Sequence, residues 1–417
     1  MLSAATIRAV PKSDLHVHLD GSLRLGTLIE LARSRHVDLP SYDEQGLCEL
    51  IFKPRYASLT EYLAGFAYTC RVLQDEEALE RTACELAEDA LAEGVRYLEV
   101  RFAPQLHVSS SAQMGGVLAA VSRGLTRAAM AFNASPAVIA DSDLPFRFGL
   151  IVCAMRNFGP GMSAYFDQLI SLLPRMPHKE LVALASLEAA RAAVDARERQ
   201  GLPVVGFDLA GEEAGYRAGH HVAAFQEVHR HFIGKTVHAG EAYGPESIDE
   251  AITRCHAERI GHGTWLFAPE RIADPAIVDR SRYVASLVEY IAARRIAVEV
   301  CPTSNLQTMP ELGDMARHPV RRMLEHRLAV TIGTDNRLVS HTTLTRELTL
   351  VAETFALDLP TFRNMVLAGF KAAFFHGTYA EKRAYVARAA ALIERVTGIS
   401  GPEAARRIGF DRGIGPS

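Results

Sequence analysis

Two histidines stand two residues apart in Lys12-Ser13-Asp14-Leu15-His16-Val17-His18-Leu19-Asp20-Gly21, a stretch that alternates as a strand does. In an extended chain residues i and i+2 share a face, so His16 and His18 project side by side and their nitrogens could meet at one divalent metal ion. Asp20 continues that face. Three more polar side chains with donor chemistry follow: His238 in Val237-His238-Ala239-Gly240-Glu241, His262 in Arg259-Ile260-Gly261-His262-Gly263, and Asp335 in Thr331-Ile332-Gly333-Thr334-Asp335-Asn336. Singly, each has an ordinary explanation. A His-x-His pair is common at surfaces, His238 could end a strand against water, a glycine-flanked histidine is often a turn residue, and Asp335 could cap a helix. Jointly, imidazoles and a carboxylate make a nitrogen and oxygen donor set that suits zinc, and a metal so held brings the pKa of a bound water to about 7.

Such a site needs elements that carry these residues to one place. Eight β-rich segments recur: Ser13 to Asp20, Val95 to Phe102, Phe146 to Met155, Val204 to Leu209, Lys235 to Ala239, Arg259 to His262, Ile296 to Cys301 and Ala329 to Thr334. Helical patterns separate them, among them Glu76 to Ala92, Lys179 to Gln200, Val222 to Phe232, Ser247 to His256 and Asp314 to His326. Near-continuous apolar strands alternating with helices predict a parallel sheet covered by helices, and eight repeats predict an α/β fold of the closed (β/α)₈ TIM-barrel type. In such a barrel the carboxyl ends of all strands converge on one rim. His16, His18, His238, His262 and Asp335, each at a predicted strand end, then become neighbours.

Leu23 to Gln74 is long enough for extra helices over the barrel mouth, and the chain from Leu344 onward holds more helix than one repeat needs. Asn133 to Pro145 reads as a polar loop or linker. The whole chain, 1–417, is expected to be one barrel domain with its core over about 11–400 and a flexible tail at 411–417.

Of the 417 residues, 48% are hydrophobic and 23% charged, and no apolar run approaches the roughly 18 residues of a membrane span. The N-terminus lacks the basic head and apolar core of a secretory signal, so the cytoplasm is expected. Six scattered cysteines without Cys-x-x-Cys spacing read as buried small residues, not as a disulfide framework or a thiolate zinc site. A net charge of −4 gives no basic footprint for nucleic acid, and a small neutral substrate fits better. Nothing in the sequence assigns an oligomeric state.

The set His-Val-His-Leu-Asp-Gly (16–21), Asp-Leu-Ala-Gly-Glu-Glu (208–213), His-Ala-Gly-Glu (238–241), Arg-Ile-Gly-His-Gly (259–263), Cys-Pro-Thr-Ser-Asn (301–305) and Thr-Asp-Asn (334–336) resembles the adenosine deaminase family of metal-dependent barrel hydrolases, motif by motif and in order. The resemblance implies one Zn²⁺ per chain on His16, His18, His238 and Asp335. It implies Glu241 as the proton-transfer acid, His262 as the residue that orients the attacking water, and Asp335 as the acceptor of that water's proton. His18, Asp20, Gly211 and Asn336 are implied to border the substrate: Asp20 at the ribose 5′-hydroxyl, the Gly211 backbone at purine N3, Asn336 at purine N7. The implied reaction is hydrolytic deamination of adenosine or a close 6-aminopurine nucleoside to the 6-oxopurine and ammonia, in purine salvage. The alternatives are deamination of adenine or of an N6-modified nucleoside, or a barrel that binds purines without catalysis. Asp20 weighs against the free base, which offers it no partner. The chain departs from the family at Asn336, where most members carry a second aspartate.

Other polar residues carry plainer expectations. His220, His221, His229 and His231 are expected to be solvated or at helix ends. Glu212 and Glu213 are expected to cap a helix. Arg101 and Arg156 are expected in internal ion pairs.

Overall fold

The computed structural model describes residues 2–109 and 113–398; the tail at 411–417, expected to be flexible, lies outside them. Eight strands form one sheet in sequence order: β1 (Lys12–His18), β2 (Val95–Phe102), β3 (Arg147–Met155), β4 (Val204–Ala210), β5 (Gly234–Ala239), β6 (Arg259–His262), β7 (Ala297–Val300) and β8 (Ala329–Ile332). Every neighbouring pair is parallel. The ring closes through a single parallel bridge between Val17 and Asp335, just past the end of β8. There the His18 amide donates to the Asp335 carbonyl and the Asp335 amide to the His16 carbonyl, both at 2.7 Å. The (β/α)₈ barrel predicted from the eight repeats is the fold observed.

Relative to β2, β1 carries one extra residue between Asp14 and Val17. Such a bulge locally re-aims side chains, here next to His16.

Helices wrap the outside. Leu25–Ser34, Glu44–Leu50, Leu59–Ala64 and Phe66–Val72 fill the long insertion after β1, and among the described residues three helices, Leu344–Thr354, Leu359–Ala372 and Tyr379–Thr397, follow β8. Two expectations need correction. The stretch 314–326 is not one helix: it breaks into a 3₁₀ turn, Met315–Arg317, and a helix, Val320–Glu325, because Pro319 between them has no N–H to donate. The linker at 133–145 contains a helical turn, Pro136–Ile139. The helix Arg280–Arg294 lies between β6 and β7 in sequence, and its buried residues Val284, Leu287, Val288 and Ile291 follow helical spacing.

The barrel interior is unusual for its charge. Barrel cores are dominated by branched apolar residues, yet Arg101, Arg259, Glu99, Asp208 and Glu299 are all at most 1% exposed. They pair with one another: Arg101 with Asp208 at 2.9 Å and with Glu299 at 2.7 Å, Arg259 with Glu99 at 2.6 Å and with Glu299 at 2.5 Å. Buried charges are tolerated only when paired and hydrogen-bonded. This network lies directly beneath the histidines of the rim.

Candidate active site

The rim residues converge as predicted. Ring centroids of His16 lie 4.6 Å from His238, 5.0 Å from His262 and 5.6 Å from His18. Asp335 Oδ1 is 3.6 Å from His16 Nε2 and 3.5 Å from His18 Nε2. His262 and Asp335 both adopt positive φ, 64° and 58°. A left-handed backbone at a non-glycine residue is costly and persists where the surroundings dictate it; here it turns both side chains into the same space.

Hydrogen bonds behind the histidines set their tautomers. His16 Nδ1 lies 2.8 Å from Glu299 Oε2. A carboxylate only accepts, so Nδ1 carries the proton, and Nε2 is left as a buried nitrogen without a partner. His238 Nδ1 faces Asp208 Oδ1 at 3.2 Å in the same way, which leaves its Nε2 bare, 3.2 Å from His18 Nε2. A histidine whose other ring nitrogen donates to a carboxylate is the usual companion of a bound metal. The bare, buried nitrogens of His16 and His238, with His18 and the Asp335 carboxylate beside them, fit a divalent cation of the zinc type. The donor atoms of His16, His238, His262 and Asp335 also lie within 4.8 Å of one another, so His262 competes with His18 for the fourth place by distance alone.

Electrostatics follow burial. Complete burial, and then Arg101, oppose a charge on His16, yet Asp335 and Glu299 raise its pKa above the ordinary value, so a positive charge is wanted between those carboxylates. Burial works against ionised Asp335 too, but His16, His262 and His18 hold it well below the carboxylate range. Its second oxygen accepts from Ser304 Oγ at 2.6 Å. Glu241 behaves oppositely: burial first, then the charges of Asp335 and Glu213, push its carboxyl well above the usual range. A carboxylic acid kept protonated near neutral pH can deliver a proton.

Glu241 sits on the loop after β5, and Glu213 holds that loop. Its carboxylate accepts the amides of Gly240, Glu241, Ala242 and Tyr243 at 2.6–3.1 Å and Ser247 Oγ at 2.5 Å. The helix-cap expectation for Glu213 is therefore corrected: it organises a turn of backbone donors beside the site. Glu212 caps no helix either; it accepts from Thr60 and so ties the β4 loop to the insertion after β1.

A cavity of about 960 Å³ opens above these residues. His18, Asp20, Gly211, His238, Glu241, His262, Asp335 and Asn336 line it, with Leu59, Tyr62, Phe66 and Gln74 of the insertion forming a wall. Gly211, just past the end of β4, has φ 96°, a conformation that glycine adopts freely, and it lines the cavity. Asp20 Oδ2 lies 3.5 Å from His107 Nε2, and Oδ1 has no partner. Asn336 donates from Nδ2 to Tyr62 Oη at 2.8 Å, while its carbonyl oxygen is unpartnered.

Arg101 pairs as expected, but Arg156 does not: it donates to the carbonyls of Tyr216 and His238, with no carboxylate in reach among the described residues. It thereby braces the backbone under His238. His221 lies at a helix end, as expected, and is buried there and bonded to Ser186 Oγ at 2.7 Å. Glu299, Asp208, Ser304, Asn305 and His107 were given no role from sequence. The signal for the first two was a charge inside an otherwise apolar strand.

Comparison with known proteins agrees with this geometry. The family model for adenosine deaminase matches residues 11–388. An adenosine deaminase of Mycolicibacterium vanbaalenii is 35% identical over 377 residues, covering 89% of this chain and 92% of that one. A probable adenosine deaminase of Dictyostelium discoideum is 34% identical over 369 residues, and there the chain spans only 41% of the relative's length. Among solved structures, a zinc-bound amidohydrolase from Burkhoderia ambifaria superposes with TM-score 0.73 at 21% identity, covering 95% of each chain. No helix among the described residues is long and apolar enough to cross a membrane. With 369 or more residues aligned to these relatives and the family's model spanning nearly the whole barrel, the chain belongs to the adenosine deaminase family, hydrolases acting on C–N bonds.

Proposed function

We propose that this chain removes the 6-amino group of a purine nucleoside, adenosine foremost, by hydrolysis, with one zinc per chain held by His16, His18, His238 and Asp335. The carrying observation is the convergence of His16, His238, His262 and Asp335 at the floor of one cavity whose wall also presents the buried Glu241 carboxyl, which burial and the neighbouring carboxylates push above the usual range. When bound, the metal supplies Lewis-acid activation of water near neutral pH. Asp335 takes a proton from the attacking water, and His262 orients that water at C6. Glu241 gives its proton to N1, so that breaking ring aromaticity leaves no negative charge on the purine. Collapse then returns the Asp335 proton to the departing amine and the hydroxyl proton to Glu241. Ammonia leaves, and N1 keeps its hydrogen.

Asp20 supports a nucleoside. Its unpartnered oxygen in the cavity wall is an acceptor for a 5′-hydroxyl; a 5′-phosphate would meet like charge there, and free adenine would leave it empty. Gly211 and Asn336 are read as contacts for N3 and N7. A role in purine salvage in the cytoplasm, with the whole chain acting as one barrel domain, belongs to the same reading.

A panel of adenosine, 2′-deoxyadenosine, 5′-AMP, adenine and N6-methyladenosine, assayed for ammonia or amine release with metal content measured in parallel, tests it. Adenosine should be turned over best by protein holding one zinc, and His238→Ala should lose that zinc. Zinc-loaded protein that deaminates no nucleoside would sink the proposal.

A further inference from the structure

We propose that a one-way chain of hydrogen bonds from the Val320 amide through His318 and Asn305 locks His262 in the tautomer protonated on Nε2, making it a hydrogen-bond donor to the reacting oxygen and removing it from the metal's ligand set. The identity of that oxygen rests on the deaminase reading; the tautomer does not.

The direction of the chain is fixed at its far end. The Val320 backbone N–H can only donate, and it lies 3.1 Å from His318 Nδ1. That nitrogen must present its lone pair. His318 is buried, with a pKa driven down to about 3, so the ring is neutral and its single hydrogen sits on Nε2. Nε2 faces the side-chain oxygen of Asn305 at 3.2 Å and donates to it. With its oxygen so committed, Asn305 presents its amide nitrogen to His262 Nδ1 at 3.0 Å. An amide NH₂ has no lone pair to offer, so His262 Nδ1 accepts. The remaining hydrogen of a neutral His262 ring is therefore on Nε2.

Nε2 is the atom that faces the site, 3.9 Å from Glu241 Oε1. A protonated nitrogen cannot ligate a metal. His262 stands inside the donor group of His16, His238 and Asp335 by distance, yet the hydrogen-bond chain disqualifies it and leaves the fourth place to His18. The same proton prevents Nε2 from acting as a base, which leaves Asp335 as the acceptor of the water proton. Asn305 and His318 touch neither substrate nor metal donors, and are positioning residues. Both are essentially fully buried, so no solvent competes with their bonds.

The experiment is ¹⁵N NMR of ring-labelled histidine in the full-length protein, metal-free and zinc-loaded, with His262 assigned by its loss in His262→Gln. His262 should show Nε2–H in both forms, and His262→Gln should still hold one zinc per chain. Asn305→Asp, which turns an acceptor toward Nδ1, should move the hydrogen to Nδ1 and lower kcat by about 10²-fold with KM and zinc content little changed, the usual cost of one oriented donor. His318→Gln retains an N–H for the Asn305 oxygen and should stay within about threefold of the parent, whereas His318→Leu should fall at least tenfold. Nδ1–H on the parent His262, zinc loss in His262→Gln, or parent-level kcat in Asn305→Asp would overturn the proposal. The spectroscopic and metal arms need no turnover, so failure of the deaminase reading would show separately as absence of ammonia release with the tautomer intact.

Discussion

Glu213→Gln is the most revealing single substitution, because it keeps volume and removes only a charge and one acceptor. Oε2 of Glu213 accepts the amides of Glu241, Ala242 and Tyr243, and Oε1 accepts Gly240 and Ser247. The best placement of a glutamine puts its oxygen on the three-amide side. Its NH₂ then opposes the Gly240 N–H; Ser247 can rotate its hydroxyl and accept. One buried N–H left unpaired costs about 1–3 kcal/mol. The three surviving bonds lose their charge assistance, and neutral bonds are worth roughly half as much, so about 0.5–1 kcal/mol each is lost. The total is roughly 2.5–6 kcal/mol, concentrated on the loop that carries Glu241. If it falls mainly on that loop's active geometry, kcat/KM drops by about 10²–10⁴-fold at 1.36 kcal/mol per decade. The lost charge of Glu213 acts in the same direction, since it helps keep Glu241 protonated. Steady-state ammonia release, zinc content and thermal unfolding of parent and variant are the measurements. A variant with unchanged Tm and kcat/KM within about threefold would show that the Glu213 bonds do not hold the acid in place.

Three further outcomes are expected. Glu241→Gln should keep zinc and bind adenosine but lose about 10²–10⁴-fold in kcat, since an amide has no acid proton for N1; a near-parental rate would remove Glu241 from the reaction. Asn336→Ala should weaken kcat/KM for adenosine by the equivalent of about 1–3 kcal/mol while sparing 7-deazaadenosine, which lacks the N7 acceptor; equal losses on both would make Asn336 structural. Burial, against hydrogen bonds from Thr334 and the His16 amide, raises the Asp14 pKa from 3.8 to about 6. The folded state therefore keeps a proton that the unfolded chain releases, and this stabilisation is complete below about pH 4 and lost as pH rises through about 6, some 3 kcal/mol in all. Asp14→Asn should lack that decline, so the parent-minus-variant difference in unfolding free energy should fall between those pH values; a flat difference would refute the assignment.

The barrel was legible because strand and helix periods differ and repeat eight times; β2 and β6 have the bounds read from sequence. The rim donors were legible because each ends a strand, and in this topology every strand end faces the same cavity. The supporting residues were harder to read. Glu299 in β7 and Asp208 in β4 look like isolated charges in apolar segments, and only the barrel's curvature brings them to His16, His238 and Arg101. Glu213 was misjudged because a carboxylate near a glycine-rich strand end has the same local signature whether it caps a helix or gathers amides from another loop. His221 does stand at a helix end, one of the two expectations for it, but its burial could not be read locally because its partner Ser186 lies 35 positions away. His318 and Asn305 acquire meaning only once their hydrogen-bond directions are traced in space.

The seams of the barrel give the metal site a second consequence. Between β4 and β5 only Gly206 with Gly234 and Phe207 with Lys235 are in register, and between β8 and β1 a lone bridge joins Val17 to Asp335. The hoop is thus two four-strand arcs that meet at two thin joints. His16 and His18 belong to one arc, His238 and Asp335 to the other, and the Asp208–His238 pair spans the remaining joint. An ion held by these residues would rivet the arcs together, so occupancy and breathing of the hoop become one equilibrium. Amide exchange at His18 and Asp335, whose hydrogen bonds are the clasp itself, would then report on metal loading as directly as catalysis does.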